Sequence, residues 1–362
     1  MSNFDRFLKV YDEIQQFVLS FMETKYQMDV NRRQYIKDML DNTCLGGKYN
    51  RGICVVDVAE SVAADQHVDA ATLERILHDA CVCGWAIELL QAHFLVEDDI
   101  MDGSKVRRGK PCWYLYPGVT AQVAINDGLI LLSLATQIVC HLLAGRPFMT
   151  EVLRVLHEVD MTTDIGQFYD VTSMVDSSKL NAHTPLSKTT DYSEYTVFNY
   201  KRIVKYKTAY YTYWLPLVMG LLVSNSYQKV DAVKLEHLAM AMGEYFQVQD
   251  DVMDCFTPPE KLGKVGTDIQ DAKCSWLAVK FLEVASEEQK RVFKENYGQH
   301  DEKKIATVKR LFEETKLLSL FQTYEKGVAV EMDKLIKDIA KGNAAFGRSV
   351  QILWNRTYKR VK

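Results

Sequence analysis

Apolar residues recur at steps of three and four along nearly the whole chain. Leu73, Ile76, Leu77 and Ala80, then Leu89, Leu90 and Phe94, form the stripe of a core-facing helix. Asp69 has the place of an N-cap for a helix running to Met101, and Gly103 stands just past its end. The same spacing predicts helices over about 4–28, 53–65, 121–144, 148–175, 229–254, 270–284, 301–315 and 320–340. The aromatic run 206–222 is rich in strand-forming residues. Its length and neighbours favour a buried helix, kinked near Pro216. Convincing alternating runs are absent, so the chain reads as all-α. Two stretches, 176–191 and 255–267, are turn-rich and read as loops. No other shift in composition marks a linker, and residues 1–362 read as a single domain.

Composition narrows the class. A chain of 362 residues can bury about three-quarters of its unfolded surface and needs no staples. Hydrophobic residues at 48% and charged residues at 25% exclude a disordered or collagen-like chain. A net charge of −4 leaves no general basic field for nucleic acid. With 7 prolines and 18 glycines, helix breakers are scarce, which again favours long helices. The eight cysteines are scattered with no C-x-x-C pair, so they read as reduced core thiols of a cytoplasmic protein. The N-terminus carries Asp5, Asp12 and Glu13 and no apolar stretch, unlike a signal or transit peptide. The most apolar segment, 129–144, is interrupted by Ser133, Thr136, Gln137 and His141. It falls short of a membrane span and reads as a buried core helix, so no stable membrane anchor is expected.

One motif occurs twice. FLVEDDIMD at 94–102 and FQVQDDVMD at 246–254 agree at six of nine positions, including all three aspartates. On a helix, residues four apart share a face, which groups Asp98 with Asp102 and Asp250 with Asp254. Asp99 and Asp251 sit on the shoulders. Like charges at this spacing repel, and the helix dipole disfavours anions in a last turn. Both costs point to a strong positive counter-charge. If the two helices face each other, six carboxylates line one cleft, a hard oxygen set suited to Mg²⁺ and diphosphate. A solvated helix end balanced by Lys105, Arg107, Arg108 and Lys110 would explain one such cluster but hardly two.

Cations elsewhere fit phosphate chemistry. GGKYNRG at 46–52 offers glycines for close backbone approach, with Lys48 and Arg51. Arg107 and Arg108 can fork onto phosphate oxygens. Lys207 lies in an aromatic segment, where a lysine without a partner is costly. Lys264 and Lys273 flank Asp268 and Asp271, and the tail RTYKRVK is basic.

With GGKYNRG, LQAHFLVEDDIMDGSKVRRGKPCWY, IGQFYD, IVKYKTAYY, YFQVQDDVMD, GKVGTDIQDAKCSW and the basic tail in this order, the chain resembles the trans-isoprenyl diphosphate synthases, in their farnesyl-producing short-chain branch. The match runs over essentially the whole chain. It implies an isoprenoid synthase-type helical bundle around a central cavity, in a homodimer. It implies Mg²⁺-dependent, head-to-tail condensation of isopentenyl diphosphate with dimethylallyl diphosphate, then geranyl diphosphate. Three Mg²⁺ ions would be held by Asp98, Asp99, Asp102 and Asp250. Arg107, Lys207 and Lys264 would bind the allylic diphosphate, and Lys273 is a further substrate-binding candidate. Lys48, Arg51, Gln91, Arg108 and Arg360 would bind that of isopentenyl diphosphate. Lys207, Thr208 and Gln247 would meet the carbocation with oxygen dipoles, and Tyr211 would lie near the reacting carbons. Phe94, one turn before Asp98, would stop the growing chain together with His93, a position at which many such synthases carry a second aromatic.

Rival readings differ at particular features. A class I terpene cyclase usually lacks the second aspartate box and the isopentenyl diphosphate anchor. A di-iron bundle needs Glu-x-x-His pairs, which are absent. A geranyl or geranylgeranyl diphosphate synthase differs in product length, and a non-enzymatic helical scaffold would not answer to Mg²⁺ and diphosphate.

Overall fold

The structure is a computed structural model that describes residues 2–183, 190–263 and 265–360. The helices are α1 (Asn3–Tyr26), α2 (Val30–Thr43), α3 (Asn50–Asp65), α4 (Ala70–Met101), α5 (Ala121–Leu142), α6 (Met149–Val171), α7 (Val197–Val204), α8 (Leu215–Val223), α9 (Ala232–Phe256), α10 (Pro259–Leu262), α11 (Trp276–Val284), α12 (Glu287–Asn296), α13 (Glu302–Glu314), α14 (Leu317–Gly342) and α15 (Ala344–Thr357). A π-helix, Lys205–Trp214, joins α7 to α8. Among the described residues the only strands are the two-residue β1 (Val106–Arg107) and β2 (Lys110–Pro111). The all-α expectation holds.

The chain divides into two compact units. Unit 1 comprises residues 1–160, 211–235 and 336–355. Its centre is α4, which packs against α1, α3, α5 and α8. Asp69 caps α4 as its sequence position implies, accepting from Thr72 N at 2.9 Å, and Gly103 follows at φ +63°. Trp85 stacks on Phe7 with centroids 4.5 Å apart, and its Nε1 donates to the Phe7 carbonyl at 2.8 Å. Unit 2 comprises 161–210, 236–335 and 356–362. Its core gathers Trp276, Leu277, Phe281, Phe293, Tyr297 and Phe312.

Several boundaries differ from expectation for local reasons. The helix expected over 270–284 starts only at Trp276, where Ser275 caps it by accepting from Ala278 N. Helix α9 takes the first two residues of the expected 255–267 loop, and α10 adds a turn inside it. The kink near Pro216 is a π-helical stretch directly before it. Pro216 has no N–H to give the carbonyl one turn earlier, and a widened helix absorbs that loss. Among its described residues the 176–191 loop has a 3₁₀ turn at Ser177–Lys179, and residues 184–189 lie outside the described ones. Helices α4 and α5 are both long and apolar enough to cross a membrane by length and composition. α4 is a core helix, with 83% of its apolar window buried against 44% for α5. The expected buried helix at 129–144 is therefore only half right. α5 buries Leu131, Leu134, Ile138 and Val139 but leaves Val123, Ile125 and Leu129 exposed.

Candidate active site

In unit 1 the first aspartate box ends α4. Asp98 and Asp99 lie in its last turn, and Asp102 is its C-cap, donating its N–H to the Asp98 carbonyl at 2.8 Å. Asp99 is buried and holds Arg107: Nη2 reaches Oδ1 at 2.5 Å and Nε at 3.1 Å, while Asp98 Oδ2 lies 3.5 Å from Nη2. Burial opposes the Arg107 charge, but Asp99 and Asp98 outweigh it and raise its pKa above the ordinary value. Asp98 and Asp102 stay half-exposed, one turn apart.

The β1–β2 hairpin aims the two arginines differently. Arg108, at φ +54° in its turn, donates through Nη1 to the carbonyls of Thr43 (3.2 Å) and Leu45 (3.1 Å). It thus ties the hairpin to the glycine loop that carries exposed Lys48. Behind the hairpin lies a cavity of about 60 Å³, lined by Leu95, Asp99, Arg107, Arg108, Trp113 and Tyr116 among others. Arg51, at the start of α3, donates through Nη2 to Tyr211 Oη and Thr212 Oγ1, each at 2.9 Å, and lies 4.5 Å over the Tyr211 ring. Tyr211 also meets Phe94 edge-on, with centroids 5.4 Å apart. His93 is buried, with Nδ1 2.9 Å from the Gly128 carbonyl, and burial pushes its pKa down. Gln91, half-buried, stands on α4 between Glu88 and Phe94.

In unit 2 the π-helix carries Lys207 and Thr208. It can lie against α6 because residue 166 is glycine: a Cβ there would fall 2.1 Å from Lys207 N and 2.4 Å from its Cα. Lys207 Nζ lies 2.5 Å from Asp170 Oδ2, and Lys273 Nζ lies 2.9 Å from the same oxygen. Burial alone would raise the Asp170 pKa, but the two ammonium groups hold it well below the usual carboxylate range. Thr208 Oγ1 donates to Gln247 Oε1 at 2.9 Å, and Gln247 Nε2 donates to Asp251 Oδ1 at 2.9 Å. Trp276 N closes this chain on Asp251 Oδ2 at 2.7 Å. Burial raises the Asp251 pKa, and these hydrogen bonds partly offset the rise.

The second box is distributed like the first. Its middle residue, Asp251, is buried and bonded within its own unit, while Asp250 is half-exposed and accepts from Arg360 Nη2 at 3.2 Å. Arg360 also donates to Gln249 Oε1 at 2.7 Å and lies 3.7 Å over the Phe246 ring. Asp254 Oδ2 accepts from Asp268 N at 3.1 Å, which binds the 265–268 loop to α9. Lys264 lies outside the described residues.

Sequence reasoning missed three residues. Asp170 falls within the IGQFYD motif, four residues after Gly166, and that spacing was the available signal. Thr212 follows Tyr211 and seats Arg51. Glu88 is a buried carboxylate in an apolar stretch of α4, a position where charge needs a reason.

The chain matches the polyprenyl synthetase family model over residues 33–315. It is 39% identical over 367 residues to the farnesyl pyrophosphate synthase of Artemisia annua, covering 100% of both chains. Against that of Zea mays it is 40% identical over 358 residues, covering 98% of this chain and 96% of the other. Among solved structures it is similar to T. brucei farnesyl diphosphate synthase complexed with bisphosphonate: 58% identity, TM-score 0.98, and 100% of each chain covered. The chain therefore belongs to the polyprenyl synthetase family, as a prenyltransferase enzyme.

Proposed function

We infer that the enzyme condenses isopentenyl diphosphate with dimethylallyl diphosphate and then with geranyl diphosphate, giving farnesyl diphosphate and pyrophosphate. The observation that carries this reading is the 58% identity to a farnesyl diphosphate synthase over the full length of both chains.

Site roles follow from the resemblance and the local geometry. By the resemblance, Asp98, Asp99 and Asp102 of unit 1 and Asp250 of unit 2 would hold Mg²⁺; carboxylate oxygens are the donors that this ion takes, and Asp98, Asp102 and Asp250 are half-exposed. Three Mg²⁺ ions, when bound there, would neutralise charge on the departing diphosphate. Arg107, Lys207, Lys264 and Lys273 bind that allylic diphosphate and stabilise the charge it gains as the C–O bond breaks. The Lys207 carbonyl and the Thr208 and Gln247 oxygens face the allylic cation with dipoles. The Thr208–Gln247–Asp251 chain keeps two of those side chains oriented before the charge appears. Lys48, Arg51, Gln91 and Arg108 hold isopentenyl diphosphate, to which we also assign Arg360, so that its double bond attacks in line. Tyr211 both seats Arg51 and packs on Phe94, which with His93 limits the product to fifteen carbons. The released diphosphate takes the final proton.

We read residues 1–362 as one functional domain, since each unit carries only part of this chemistry. A homodimer is supported by the exposed apolar residues Val123, Ile125 and Leu129 on α5. We place the enzyme in the cytoplasm, without a stable membrane anchor. Product analysis from labelled isopentenyl diphosphate with dimethylallyl or geranyl diphosphate tests the reading. A fifteen-carbon product is expected; a ten- or twenty-carbon product would favour the geranyl or geranylgeranyl alternative.

A further inference from the structure

We propose that Glu88 is a positioning residue for the isopentenyl diphosphate anchor, holding the first turn of α3 and thereby the direction of Arg51. This rests on the reading that Arg51 binds that diphosphate.

Helix α3 begins without a cap of its own. Its N-cap residue, Tyr49, has φ +51° and makes no side-chain cap hydrogen bond. A helix start leaves several N–H groups without partners, and in a glycine-rich loop little else fixes them. Glu88 supplies the missing acceptor from another helix. It is 4% exposed, and its Oε1 accepts from Gly52 N at 2.9 Å.

That reach depends on how α3 and α4 cross. A Cβ on Gly84 would lie 2.6 Å from the Gly52 carbonyl oxygen, and one on Gly52 would lie 2.3 Å from Phe7 Cζ. Only two glycines allow so close an approach. Glu88 stands one turn after Gly84 and so falls on the N-terminal end of α3, next to Arg51. A carboxylate there also complements the positive end of the helix dipole. Burial raises its pKa, while the charge of Arg51, the Gly52 N–H and the charge of Arg108 pull it back. Tyr211 and Thr212 fix the guanidinium itself. Arg51 is thus held at both ends, its backbone through Glu88 and its head through two hydroxyls. A fork donor works only if it is held within narrow limits.

Steady-state kinetics of Glu88→Ala, Glu88→Asp, Glu88→Gln and Arg51→Ala, with each substrate varied in turn, tests this. Glu88→Ala should raise KM for isopentenyl diphosphate about tenfold, with KM for geranyl diphosphate and kcat within about threefold of the parent. Glu88→Asp keeps the charge, so it should fold, but it falls short of Gly52 and should show a smaller rise of the same selectivity. Glu88→Gln retains the acceptor and should return to within about twofold of the parent. A folded Glu88→Ala or Glu88→Asp with parental KM for isopentenyl diphosphate, or an equal rise for both substrates, overturns the proposal. Arg51→Ala separates the two levels. If its KM for isopentenyl diphosphate is unchanged, the role of Arg51 itself fails; if it rises while the Glu88 variants stay parental, only the positioning role fails.

Discussion

Lys207 and Lys273 share one oxygen of Asp170, at 2.5 and 2.9 Å, within unit 2. The carboxylate is buried, so removing its charge takes away the counter-charge that the two ammonium groups share at this oxygen. Asp170→Asn should cost about 3–5 kcal/mol of stability, read by chemical denaturation. The pH dependence has a definite sign. The folded pKa of Asp170 lies below its unfolded value, so its contribution is fully present above about pH 4 and fades as pH falls toward the folded value. The stability gap between parent and Asp170→Asn should therefore narrow as pH falls from about 4 toward 2.

Gly166 is the contact that lets Lys207 lie where it does. Gly166→Ala would put a methyl 2.1 Å from Lys207 N, and backbone cannot yield as a flexible side chain can. We expect a loss of about 1–3 kcal/mol and a larger proportional loss of kcat, because the Lys207 carbonyl shifts with its peptide. Parental kcat in a folded Gly166→Ala would show that the wide helical turn has no part in catalysis.

Asp98→Ala and Asp250→Ala should each lower turnover by orders of magnitude while leaving the melting temperature within a few degrees. Both side chains are half-exposed, so little packing is lost. Wild-type-like activity in either would remove that residue from the diphosphate chemistry.

Stabilisation by ligand should require two components together. A thermal-shift measurement with Mg²⁺ and pyrophosphate should raise the melting temperature more than either alone, and a chelator should reverse the gain. Equal shifts with pyrophosphate alone would assign its binding to the lysines and arginines without the aspartates.

Phe94→Ala opens the space that the ring fills against Tyr211. Chromatography of the products should show chains longer than fifteen carbons. Because Tyr211 also seats Arg51, KM for isopentenyl diphosphate should rise modestly in the same variant. Unchanged chain length would locate the limit elsewhere.

Helix α4 was legible to the residue, because its cap, its stripe and its terminal glycine all agree. Helix α2 was not: its polar residues Asn31, Arg32, Arg33 and Gln34 hide the buried Ile36, Met39 and Leu40. The π-helix was read only as a kink, since sequence marks Pro216 but not how the turn before it widens. Lys207, Thr208 and Gln247 were singled out only through motif resemblance. Asp170 and Glu88 were not, because their roles depend on partners 37 and 36 residues away. No local spacing encodes such pairs.

Of the eight cysteines, Cys140 alone is exposed, and burial pushes the thiols of Cys44, Cys81 and Cys255 up to about 12. A thiolate-seeking dye added to the native enzyme will therefore label α5 first and leave the interior dark. Every further label that appears with time reports an opening event, which gives the chain a built-in stopwatch for its own unravelling.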